Sequence, residues 1–208
     1  MRKTIVIVLF CLPFMAMAQG NWETPDAPTA KQQVKSTEYP YTRYLGNVVP
    51  VVDGEVVWEK TFTNDKNAEE NYAAMLSFLT TMTTEEIQLK ESKVSLVDKT
   101  DHRIVCHFEE WMTFRNTALS LDRTRFIYTL LADCFDKRVT VRIFRIGYWY
   151  EEQRNGGIHY KAEEWITDEW ALNKKRTRLA KLSGKFRRFT VDRVEQIYAN
   201  IANSLMAQ

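Results

Sequence analysis

The stretch Arg123–Tyr150, RTRFIYTLLADCFDKRVTVRIFRIGYWY, decides the fold. On either side of Asp136-Lys137 apolar residues recur at every second position, which predicts two long antiparallel strands, Arg123 to Phe135 and Arg138 to Tyr150, joined by a tight turn. A two-residue turn sets Phe135 opposite Arg138 and fixes every pair beyond it. One face then pairs Leu130 with Ile143, Ala132 with Val141 and Cys134 with Val139, an apolar side suited to a covering of helices. The other pairs Leu131 with Arg142, Thr129 with Phe144, Ile127 with Ile146, Arg125 with Tyr148 and Arg123 with Tyr150. That second face is mixed where a solvated face should be polar, so it is expected to be covered by a partner, a second copy or the N-terminal leader. Arg123, Arg125, Ile127, Phe144, Ile146, Tyr148 and Tyr150 are therefore the candidate partner-binding face.

Upstream, Ile104, Cys106 and Phe108 alternate with Arg103, Val105, His107 and Glu109, which is again strand chemistry. Val48 to Phe62 (VVPVVDGEVVWEKTF) predicts two extended pieces around the hairpin dipeptide Asp53-Gly54, with Val56, Trp58 and Phe62 on one face. Asn67 with Glu70 three residues on is a helix start, and Tyr72, Met75, Leu76 and Leu79 form its apolar stripe while Glu69, Glu70 and Asn71 face water. Downstream, Gly156-Gly157 breaks the strand pattern. Ala162 to Leu182 carries acids first and bases last, the polarity of a helix dipole, and is expected to be a helix ending at Gly184. Thr190 is then the cap of a last helix buried along Val194, Ile197, Ile201 and Leu205.

The N-terminus carries an address. Arg2 and Lys3 precede an apolar run from Thr4 to Met15, and Ala16-Met17-Ala18 before Gln19 is a signal-peptidase pattern. Residues 1–18 are expected to be a signal peptide, 19–44 a proline-bearing extended leader without a core, and 45–208 a single domain. The run is too short for a bilayer span, so no transmembrane anchor is expected after cleavage. The localisation expected is exported, periplasmic or extracellular. The precursor holds 29 Lys and Arg against 27 Asp and Glu. Loss of Arg2 and Lys3 brings the two into balance, which removes the basic excess that nucleic-acid binders show. The basic segment from Lys174 to Arg188 is expected to be a solvated helix end and loop, with an anionic glycan or lipid headgroup as the sharper alternative. Cys106 and Cys134 remain after processing, and whether they are bonded stays open.

Residues able to carry chemistry are scattered. His102 and His107 point to opposite faces of a strand, as do Cys106 and His107, and His107 with Glu109 is the one pair sharing a face. The acid pairs Glu109-Glu110, Glu151-Glu152 and Glu163-Glu164 are expected to be surface charge, since sequence neighbours do not converge across a cleft. Tyr148, Trp149, Tyr150, Tyr160, Trp165 and Trp170, beside Arg123 and Arg125, suit either core packing or a surface that stacks on sugars or holds a peptide. No catalytic, metal or cofactor-binding residues are assigned.

VVDGEVVWEKTF before a capped helix, long strands including CFDKRVTVRIFRI and an amphipathic last helix together resemble the secreted bacterial domain of unknown function with a TBP-like fold, over roughly Leu45 to Leu205. The resemblance implies an α+β domain, a curved antiparallel sheet with helices packed on one face. It implies no reaction, cofactor or site residues, and the fold's name does not imply DNA binding. The function expected is a non-catalytic exported domain binding a peptide, glycan or protein partner, with self-association possible. An envelope structural or assembly component stands second and an unrecognised enzyme third.

Overall fold

The computed structural model describes residues 40–206. The signal peptide expected over 1–18 lies outside the described residues, as does the leader except for residues 40–44. Those five correct the leader's expected lack of a core. A single 3-10 turn at Thr42–Tyr44 seats the Tyr44 ring in the core at 8% exposure. Its hydroxyl donates to Asp192 at 2.8 Å and its carbonyl accepts from Arg187 at 2.7 Å.

A small hairpin, β1 (Val51–Val52) and β2 (Glu55–Val56), turns at Asp53-Gly54, both at positive φ. This is the backbone that an Asp-Gly hairpin tip demands. Then follow β3 (Trp58–Thr63), α1 (Ala68–Met82), β4 (Lys93–Asp98), β5 (Arg103–Thr117), β6 (Ser120–Phe135), β7 (Arg138–Tyr150), β8 (Ile158–Lys161), the short α2 (Asp168–Ala171) and α3 (Ser183–Met206). Strands β3 to β8 form one six-stranded antiparallel sheet in the order β3-β7-β6-β5-β4, with β8 also beside β7. The fold is α+β. Helices α1 and α3 bury the inner face of the sheet, where Ile104, Cys106, Phe108, Phe126, Leu130, Val139, Val141 and Ile143 are fully buried.

Helix α1 starts as its sequence dictates. The Asn67 side chain accepts from the Glu70 backbone N–H at 2.9 Å, and Glu70 accepts from the Asn67 N–H at 2.8 Å. Tyr72, Met75 and Leu79 are buried as expected, while Leu76 is only half-buried at the edge of the stripe. Asn71, expected to face water, is instead completely buried. Its amide donates to the Phe135 carbonyl at 2.9 Å and its carbonyl accepts from Asn64 at 2.7 Å, so burial leaves no polar atom unpaired.

The helix expected over Ala162 to Leu182 does not form beyond α2. One apolar residue every seven positions, Trp165, Leu172 and Leu179, gives too thin a stripe to hold a helix on a core. The three are used otherwise. Trp165 stacks flat on Tyr160 at 3.8 Å, and Leu172 pairs with Leu179 in a β-bridge. The last helix accordingly begins at Ser183, earlier than Thr190. Gly184, expected as a stop, lies in its first turn, where a Cβ would come within 2.7 Å of the Leu179 Cβ. Thr190 is interior, and its hydroxyl shares a 2.6 Å hydrogen bond with Tyr148. Val194, Ile197, Ile201 and Leu205 are buried as expected.

Candidate functional site

The strand pair β6–β7 keeps the tight register from Phe135–Arg138 as far as Thr129–Phe144 and then slips by one residue. Arg145 and Ile146 together oppose Tyr128, a β-bulge, and Arg145 sits at φ 52° to accommodate it. Beyond the bulge Ile127 faces Gly147, Phe126 faces Tyr148, Arg125 faces Trp149 and Thr124 faces Tyr150. The bulge also divides β7's far edge, since β3 pairs with Arg138–Ile143 and β8 with Gly147–Tyr150.

That slip splits the expected binding face. Ile146 (2% exposed) and Tyr148 (1%) turn inward to the helices and belong to the core, so their placement on the open face is corrected. Tyr150 also leaves that face. Its ring packs edge-on to Phe186 of α3, and its hydroxyl donates to Asp122 at 2.9 Å. Arg123, Arg125, Ile127 and Phe144 stay on the outer side of the sheet, half-buried, and Trp149, opposite Arg125, joins them.

Across β5, β6, β7 and β8 this outer side carries a ladder of rings and guanidinium groups. Arg123 lies 3.6 Å from the centroid of the Trp111 ring. Arg125 lies 4.7 Å from that of Trp149 and 5.6 Å from that of Trp111, and Trp149 stacks on His159 at 4.9 Å. Arg125 is anchored twice, to Glu109 at 2.8 Å and to Glu152 at 2.6 Å. Partial burial opposes its charge, but those two carboxylates outweigh burial and raise its pKa. Glu109 is thus committed to Arg125 and not to His107, its neighbour on the strand face. At one end of the ladder a cleft of about 510 Å³ opens beside Trp111, Arg123, Trp149 and Glu152. The Trp149 indole N–H donates to the Gly156 carbonyl at 2.8 Å, closing the turn that bounds the cleft.

The acid pair Glu109-Glu110, expected to be surface charge, is buried: Glu109 is 8% exposed and Glu110 2%. Glu110 faces inward, where Arg193 of α3 grips both its oxygens at 2.7 and 2.8 Å, with Gln88 donating at 2.6 Å. Burial disfavours the Arg193 charge, yet its hydrogen bonds to Glu110 more than compensate and raise its pKa. In the basic segment, Lys174, Lys175 and Arg176 are exposed as expected, but Arg187 is completely buried. It donates to the carbonyls of Tyr44, Ile166 and Gly46 and pairs with Asp168 at 2.7 Å, tying the entering chain and the α2 loop to α3.

Cys106 and Cys134 are free thiols on the inner face, opposite Leu130 and Val139, and burial pushes each up to about 12. Among the described residues no three His, Cys, Asp or Glu side chains converge as a metal site would require. No helix among them is long and apolar enough to cross a membrane.

A family model, a domain of unknown function (DUF4468) with TBP-like fold, matches residues 58–149, the span from β3 through nearly all of β7. A DUF4468 family protein from Bacteroides ovatus is 34% identical, with a TM-score of 0.73 over 80% of this chain and 95% of that one. A TBP-like protein from Parabacteroides distasonis is 21% identical, with a TM-score of 0.63 over 77% of this chain and 99% of that one, a likeness of fold. No curated protein matches the chain.

Proposed function

The chain belongs to the DUF4468 family, domains of unknown function with a TBP-like fold, and we propose that it is an exported, non-catalytic binding domain that holds a peptide, glycan or protein partner on the open face of its sheet. One observation carries this reading. The inner face already buries a full core under α1 and α3, yet the outer face still presents the Trp111–Arg123 and Arg125–Trp149 contacts beside half-buried Ile127 and Phe144. Aromatic and arginine side chains of this kind are enriched where proteins meet partners. Export is supported by Arg2, Lys3, the apolar run Thr4–Met15 and Ala16-Met17-Ala18.

Affinity capture from envelope extract tests the binding reading. Wild-type protein should retain a partner that both Trp111→Ala and Phe144→Ser lose while their melting curves stay close to wild type. Capture by self-association through the same face would instead identify an assembly component. Equal capture by wild type and both variants, or none by the wild type, ends the reading. For export, N-terminal sequencing of protein recovered from the periplasm should begin at Gln19. Protein found only in the cytoplasm with Met1 retained would overturn export, whereas exported protein diacylated at Cys11, within the apolar run, would overturn cleavage before Gln19 and make the chain a lipoprotein.

A further inference from the structure

We propose that the cleft at the end of this face receives an acidic peptide segment of a protein partner, with a carboxylate forked by Arg123 and Arg115 beside it. The proposal rests on the reading of the face as a binding surface and names the chemistry it selects. Every acid lining the cleft is already engaged. Asp122 pairs with Lys185 at 2.7 Å, Glu152 with Arg125 at 2.6 Å and Glu151 with Arg154 at 3.0 Å. Arg115 and Arg123 line the same cleft and have no carboxylate partner among the described residues. The Arg123 guanidinium carbon stands 3.6 Å over the Trp111 ring centroid, and a guanidinium held by a ring face in this way has N–H groups left for a further acceptor, its planar fork matching a carboxylate.

A sugar ring is the less suited occupant. The indoles are committed to other groups, Trp111 to Arg123 and Trp149 to Arg125 and His159, so neither is held open as a stacking platform. Apolar contacts are instead offered by the hairpin that borders the cleft. Leu121, which lines it, is 56% exposed, and Leu119 at the hairpin tip is 99% exposed. Free guanidinium groups beside unburied leucines fit a segment in which acidic and apolar side chains are neighbours.

Fluorescence anisotropy with a labelled peptide of alternating glutamate and leucine tests this. The protein should bind it saturably and less tightly as salt rises. The same peptide with glutamine for glutamate, and the Arg123→Gln variant, should each bind about tenfold more weakly or worse. Arg123→Lys, which keeps the charge without the fork, should be impaired too, whereas Arg176→Gln, on an exposed loop, should match wild type. Melting curves establish that the variants are folded. Equal binding of the two peptides, or an unimpaired Arg123→Gln, overturns the carboxylate assignment and leaves the face reading standing. Binding of an oligogalacturonate but not of the peptide overturns the peptide assignment in favour of an anionic glycan. No binding of either probe also overturns the proposal, and capture by wild type against Trp111→Ala then decides the face reading separately.

Discussion

Ile127 lies opposite Gly147, because Arg145 at φ 52° adds one residue to β7 and turns Ile146 inward. Phe144 and Ile146, two positions apart on one strand, therefore have different fates, one half-buried on the open face and the other 2% exposed under the helices. Ile146→Ala should cost about 2 to 4 kcal/mol through the cavity it leaves. Phe144→Ser should cost less. Urea denaturation of the two variants compares them directly, and a reversed order would place Phe144 in the interior.

Arg145→Gly should be neutral or stabilising by up to about 1 kcal/mol, since glycine reaches positive φ without the penalty an L side chain meets there. A loss of stability would mean that the Arg145 side chain contributes more than its backbone strain costs. The same denaturation experiment reads the difference.

Arg187→Met should destabilise the fold by about 3 to 5 kcal/mol, because it leaves the Asp168 carboxylate and three carbonyls without their buried donor. Limited proteolysis should cut this variant first near Tyr44 or within the loop before α3, the two segments the guanidinium ties down. Cleavage first in the sheet would contradict the tie.

Burial raises the thiols of Cys106 and Cys134 to about 12, above the ordinary value of 9. The unfolded chain ionises these thiols near 9, so their contribution to stability is complete below that pH and is lost as pH rises from there towards 12. At pH 8 both stay protonated in the fold, and alkylation by iodoacetamide should follow the rate of opening and not the thiol's own reactivity. Rapid modification of folded protein would show that one of them reaches solvent.

The sheet was largely legible in the sequence, because strand alternation and the Asp136-Lys137 turn are local signals. So were the hairpin at Asp53-Gly54 and the start of α1, where Asn67 and Glu70 satisfy each other within four residues. What escaped depends on contacts distant in the chain. Nothing near Asn71 announces that the Phe135 carbonyl waits for its amide, and nothing near Glu110 announces Arg193. The stretch from Ala162 to Leu182 has a helix's charge polarity, but it is organised by Trp165 stacking on Tyr160 and by Arg187 binding the Ile166 carbonyl and Asp168. Of the residues expected together on the open face, Arg123, Arg125, Ile127 and Phe144 lie there, while Ile146, Tyr148 and Tyr150 turn away from it. A bulge at a non-glycine residue leaves little mark in sequence, and one inserted residue reverses the face of everything beyond it. Trp111 was missed outright, although its spacing from Glu109 puts it on the outer side.

Hydroxyl-radical footprinting with the partner captured from envelope extract tests the central claim, that the open sheet face is the binding surface, because it reports aromatic side chains one by one. Trp111, Trp149 and Phe144 should be protected in the complex, while Trp170, 51% exposed on the α2 helix, should be oxidised as fast as in the free protein. Protection at Trp170 with Trp111, Trp149 and Phe144 unchanged would contradict the account.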